Sequence, residues 1–172
     1  MPDKRTIAKA RQDKREGKSA STQAGEFVRA EMDKIRHGEH GARSAKQAIA
    51  IGLSEARRAG VDLPPPKRGR TKRRTRRSAK YAYEAGQHRR KTTRRPRVSR
   101  AVSNVLKHEP RRSASHRALS RQARNAASRR SAASRSAAAR KAARTKGHAG
   151  RVAAARKAAR TRARHRNGRR RA

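Results

Sequence analysis

Cysteine and tryptophan are absent, and the only aromatic residues are Phe27, Tyr81 and Tyr83. Without cysteine there is no disulfide frame and no thiolate zinc site. With three aromatics, and with alanine making up most of the 31% hydrophobic residues, no large core can form. No apolar run approaches the roughly 20 residues needed to cross a bilayer. The first residues, "MPDKRTIAKARQDKREGK", lack the apolar stretch of a secretory signal. These absences predict an intracellular, cytoplasmic chain. Neither a nucleophile elbow, nor a phosphate-binding P-loop, nor a dinucleotide fingerprint occurs. The chain therefore reads as a non-enzyme, with no cofactor and no small-molecule substrate.

Acid is the other scarcity. There are 11 Asp and Glu against 53 Lys and Arg, a formal charge of +42. Such a charge repels itself strongly, and only a polyanion relieves it at the scale required. Its distribution divides the chain. Residues 1–62 hold 14 basic and 9 acidic side chains, whereas residues 63–172 hold 39 basic ones and only Glu84 and Glu109. The expectation is a nearly balanced head and a polycationic tail.

In the head, residues 1–20 read as a weak polar helix or arm, with Ile7 its only large apolar residue. Residues 21–63 read as a helix-loop-helix. Ala24, Phe27, Val28, Met32 and Ile35 share one face of a helix from Thr22 to Arg36. Ser21 or Thr22 is its expected N-cap. "HGEHG", residues 37–41, closes it. Ser44 and Gln47 then form a capping box. Ala45, Ala48, Ile49, Gly52, Leu53 and Ala56 follow the 3.6 period, and Gly60 and Val61 form the expected stop. A core this small is marginal alone. The first segment packs on it, it dimerises, or it stays marginal. Ile51, off the buried stripe, reads as a lone exposed residue or a dimer contact.

Two chemical readings of the head are thin. His37, Glu39 and His40 offer three metal-type ligands with no obvious fourth, and no metal site is assigned. Arg43, Lys46, Gln47, Glu55 and Arg57 would face outward from a DNA-reading second helix, but the loop before it is longer than a helix-turn-helix turn.

The blocks "STQAGEFVR", "GARSAKQAIAIGLSEARRAG" and "LPPP", within Asp13 to Pro66, resemble a family of small, uncharacterised basic proteins of Gram-negative bacteria. Members carry these blocks ahead of a variable Lys/Arg/Ala-rich tail. The resemblance covers the first third of the chain. It implies a loosely assigned DNA-binding role and brings no site residues.

Residues 64–77 form a Pro/Arg-rich linker. Lys67, Arg68, Gly69 and Arg70 resemble an AT-hook core, although Thr71 stands where that motif has proline. Lys72, Arg73, Arg74, Arg76 and Arg77 continue the basic run. Residues 78–109 read as short helical segments. Tyr81 and Tyr83 there could stack on unpaired bases. Val98, Val102, Val105 and Leu106 mark an amphipathic helix able to meet the head or a second copy.

Residues 110–172 are low-complexity Arg, Ala and Ser. Ala137 to Thr145 and Ala153 to Thr161 are identical. Alanine and arginine favour helix, but Arg140 with Arg144, and Arg156 with Arg160, repel at i, i+4. With Lys141 and Lys157 added, the expected state is largely disordered, with marginal helices that gain order on nucleic acid. The composition resembles the tails of linker histones and bacterial histone-like proteins, with arginine largely replacing lysine. Matched one to one, the tail's charge would cover ~60 Å, or roughly 18 base pairs, of duplex. The sequence thus predicts a mostly α protein that binds and compacts DNA non-specifically in the nucleoid, with RNA or ribosome association as the alternative. A homodimer through the head stays open, and a membrane partner is not expected. The candidate contacts are the eight linker cations from Lys67 to Arg77 and Arg140, Lys141, Arg144, Arg156, Lys157 and Arg160.

Overall fold

The computed structural model describes residues 3–91 and 95–169, so residues 170–172 of the predicted tail lie outside it. Among the described residues the regular structure is entirely helical: α1 (Lys4–Arg15), α2 (Ala20–His37), α3 (Ala45–Arg58), α4 (Arg73–Gly86), α5 (Pro96–His108), α6 (His116–Ser128) and α7 (Ala132–Arg169), with a 3₁₀ turn at Arg111–Ala114. The chain divides into two compact units, Met1–Gln122 and Ala123–Ala172.

The predicted helix pair forms. Ala24, Phe27, Met32 and Ile35 of α2 are buried, as are Ala45, Ala48, Gly52 and Ala56 of α3. Ser44 Oγ accepts from Gln47 N–H at 3.2 Å, and Gln47 Oε1 accepts from Arg43 N–H. Gly60 (φ 87°) is left-handed, and Val61 N–H closes on Ala56 O. The N-cap position of α2 is Ser19 rather than Ser21 or Thr22, with no side-chain cap bond, because the helix begins two residues earlier, at Ala20.

Alanine-rich faces pack well only when backbones approach closely. Gly52 permits this between α2 and α3: a Cβ there would lie 2.7 Å from Val28 Cα. Two small apolar clusters result. One joins Phe27 to Ala10, Ala24, Ala56 and Val61; the other joins Ile35 to Met32, Ala42, Ala48 and Ala114. The marginal head is thus completed from both sides in sequence. α1 packs on α2, α4 packs on α3, and Ala114 closes the second cluster.

The valine face of α5 is not that contact. Val98, Val102 and Val105 are more than half exposed. The segment is tied to the head by backbone instead: Gly41 N–H donates to Leu106 O at 2.8 Å and Ala42 N–H to Pro110 O.

The expectation of a head followed by a largely disordered tail is wrong. Beyond residue 110 the described chain is a 3₁₀ turn and two helices, α6 and α7. The reason lies in magnitudes. Like-charge pairs oppose the helix by about 0.2–0.5 kcal/mol each. α7 contains 14 alanines, and each gains up to about 0.7 kcal/mol over an ordinary residue. The alanine contribution wins, so nucleic acid is not needed to order the segment. Gly147 (φ 64°, ψ −180°) breaks α7 between the two repeats.

Glu31 is buried at 1% exposure, and its Oε1 accepts no hydrogen bond. His40 Nε2 stands 3.6 Å away. Burial pushes the Glu31 carboxyl above the usual carboxylate range; His40 offsets this in part and Glu55 reinforces it. A raised carboxyl favours the folded state at acid pH, and that contribution is lost as pH rises through the folded value. Glu31→Gln is therefore expected to raise the melting temperature at neutral pH. The gain should shrink in melts below the ordinary carboxylate range. A lower melting temperature for the variant at neutral pH would instead make the Glu31–His40 pair the dominant interaction.

Candidate nucleic-acid interface

Cations in the first turn of a helix oppose its dipole. α4 nevertheless begins with Arg73, Arg74, Arg76 and Arg77, and Lys72 provides no side-chain cap. What holds the helix is its other face. Ala79, Ala82 and Gly86 are buried, and Gly86 sits so close to α3 that a Cβ would collide with Arg57 O. Packing therefore fixes four arginines at a positive helix end, a combination whose strain an anion relieves.

The outer face of α4 carries two rows at i, i+4 spacing: Arg73, Arg77 and Tyr81, and Arg76, Lys80 and Glu84. Together with Arg90 they line an open groove of about 420 Å³. Arg90 lies over the Tyr81 ring, its guanidinium carbon 4.8 Å from the centroid. Glu84 pairs with Lys80 at 3.5 Å and with Arg90 at 3.7 Å. An adjoining cavity of about 410 Å³ is lined by Arg76, Lys80, Tyr83 and Arg89, with Pro65, Glu84 and Arg90. The two tyrosines differ. The Tyr83 hydroxyl donates to Asp62 Oδ1 at 2.6 Å, which pushes its pKa up.

All eight linker candidates are exposed. Arg73, Arg76 and Arg77 meet in the groove; Lys67, Arg68, Arg70, Lys72 and Arg74 are not among its lining. The Lys67–Arg70 stretch is not an extended strand. Arg70 N–H donates to Lys67 O at 3.2 Å and Gly69 is left-handed (φ 84°), making a turn. Lys80, Arg89 and Arg90 were missed by sequence reasoning. The spacing of Lys80 from Arg76 carried a signal; the return of Arg90 over α4 did not.

In the Ala123–Ala172 unit, both copies of the repeat are helical, and the same hydrogen bond recurs in each. Thr145 Oγ1 donates to Lys141 O, and Thr161 Oγ1 to Lys157 O, both at 3.0 Å. Arg140, Lys141 and Arg144, with Arg156, Lys157 and Arg160, are all exposed. At about 100° per residue, each triad spans about 100° of its helix surface.

The base-reading surface considered for α3 is largely committed elsewhere. Arg57 is buried, donating through Nε to Leu63 O, through Nη1 to Leu53 O and through Nη2 to Pro64 O. Burial lowers its pKa. Glu55 pairs with Lys34, and Gln47 holds the cap. His40 faces Glu31 and its own loop. Among the described residues no three His, Asp or Glu side chains are grouped as a metal site requires, and no helix is long and apolar enough to cross a membrane.

Residues 11–68 match the model of a family of unknown function, DUF6496. The match runs from α1 to the turn after the prolines, and it stops before the groove and before α7. No curated protein and no solved structure matches the chain.

Proposed function

We infer that this is a non-enzymatic DNA-binding protein that engages duplex phosphates without reading sequence and compacts the duplex, in the manner of a nucleoid-associated, linker-histone-like protein. One observation carries the reading. The duplicated block presents two identical triads of exposed cations on helices, in a stretch with no acid after Glu109. Arginine in such a setting favours bidentate phosphate contact over base discrimination.

The break at Gly147 supports compaction. In an uninterrupted helix the sixteen-residue offset would turn the second triad about 160° from the first. The left-handed glycine releases that phase, so the two arms can engage different stretches of phosphate.

The test is a salt titration of the full chain against a duplex DNA and a structured RNA of equal charge. With six to ten phosphates contacted, affinity for duplex should fall about 10³–10⁵-fold between about 50 and 200 mM salt. A salt-insensitive affinity would sink the phosphate mechanism. Tighter RNA binding at equal salt would move the protein to the RNA side.

A further inference from the structure

The groove on α4 holds more than charge. Phosphate alone needs no aromatic residue, yet the groove places a ring among its cations. Tyr81 is 37% exposed, while Tyr83, two residues on, is engaged by Asp62. The placement of Arg90 over Tyr81 is built by the turn that ends α4. Arg89 N–H donates to Glu84 O at 2.9 Å and His88 N–H to Ala85 O at 3.3 Å, a doubly closed helix end. It forces His88, a non-glycine residue, into the left-handed region at φ 55°. That turn brings the chain back so that Arg90 lies over one face of the ring.

We propose that this groove receives one unpaired nucleobase, stacked on Tyr81 beside Arg90, with the phosphates flanking it held by Arg73, Arg76, Arg77 and Lys80. The proposal rests on the nucleic-acid reading above and assigns that reading a second mode. A paired base hides its faces in the helical stack, so a protein ring reaches only a base that is single-stranded or displaced. The cavity of about 420 Å³ suits a ligand of this size, since small-ligand pockets span about 300–1,000 Å³. Along α4 the cationic rows advance about 6 Å per i, i+4 step, which lines successive charges up with a strand laid along the helix. Glu84 tethers Lys80 and Arg90, so both cations stay beside the ring. The chemistry is common to single-stranded DNA and RNA, and the experiment separates them.

Binding is measured for the full chain, Tyr81→Ala and Tyr81→Phe at one salt concentration. The probes are a thymidine oligonucleotide, a uridine oligonucleotide and a duplex DNA of equal phosphate number. Tyr81→Ala should weaken single-strand binding about tenfold or more, with duplex binding changed less than about twofold, and Tyr81→Phe should keep the wild-type affinity. Equal losses on thymidine and uridine strands support a shared base site; a loss confined to one supports a site for that nucleic acid. No loss on either strand, or an equal loss on duplex, overturns the proposal while leaving phosphate binding intact. Failure of the wild-type chain to bind any of the three overturns the nucleic-acid reading itself.

Discussion

Replacing Arg140, Lys141, Arg144, Arg156, Lys157 and Arg160 by glutamine is expected to make the salt dependence of duplex binding shallower by about five units of logarithmic slope. Each phosphate contact contributes about 0.9 to that slope, and all six side chains are exposed on α7. The affinity ratio between about 50 and 200 mM salt should then shrink by about 10³-fold. Glutamine is nearly as good a helix former as arginine, and the changes remove the Arg140–Arg144 and Arg156–Arg160 repulsions. A circular dichroism spectrum with undiminished helix would therefore separate lost contacts from lost structure. Changing one triad alone should give about half the effect, because the break at Gly147 lets each arm act by itself. A slope change of only one unit or so would mean that α7 is a bystander and that the arginines of α4 carry the binding.

How much of this was legible in the sequence depended on where the determining contacts lie along the chain. α3 was readable because its signals are local. Ser44 and Gln47 cap it, apolar residues recur with helical period, and Gly60 and Val61 stop it. α4 was not readable as a docked helix. Its buried face is Ala79, Ala82 and Gly86, residues too small to register as a hydrophobic stripe. Its contact is close approach to the backbone of Arg57, which no pattern in its own residues announces. Arg57 itself looked like an outward cation in the last turn. Its burial follows from the prolines folding back to offer Leu63 O and Pro64 O to its guanidinium.

The tail departs from expectation for a different reason. The repulsion between Arg140 and Arg144 and between Arg156 and Arg160 is conspicuous in the sequence, but the alanines around them outweigh it. Per residue the alanine preference is the larger effect, and it acts at more positions. The candidate cations are exposed, because nothing in that stretch can bury them. What could not be read was which of them meet. Arg73, Arg76 and Arg77 gather with Tyr81 and Arg90 only because α4 is helical and His88 turns the chain back.

Phe27→Ala is expected to unfold the Met1–Gln122 unit. Phe27 is the only aromatic residue in the buried clusters and has no exposed surface. Around it stand Ala10, Ala24, Ala56 and Val61, with Ile7, Leu53 and Leu63 partly buried at the edge. Alanines cannot swing into a vacated space, and Gly52 already holds α2 and α3 at close approach, so the cavity would stay open. Such a truncation costs about 3–5 kcal/mol, against a total of about 5–15 kcal/mol for an ordinary domain. A unit with two small clusters belongs at the low end of that range. The measurement is urea unfolding followed by circular dichroism, with Val102→Ala as the control. Val102 is 53% exposed on α5, so its truncation should change stability by less than about 0.5 kcal/mol. A Phe27→Ala midpoint close to wild type would mean that backbone docking at Gly41, Gly52 and Gly86, rather than the apolar clusters, holds this unit together.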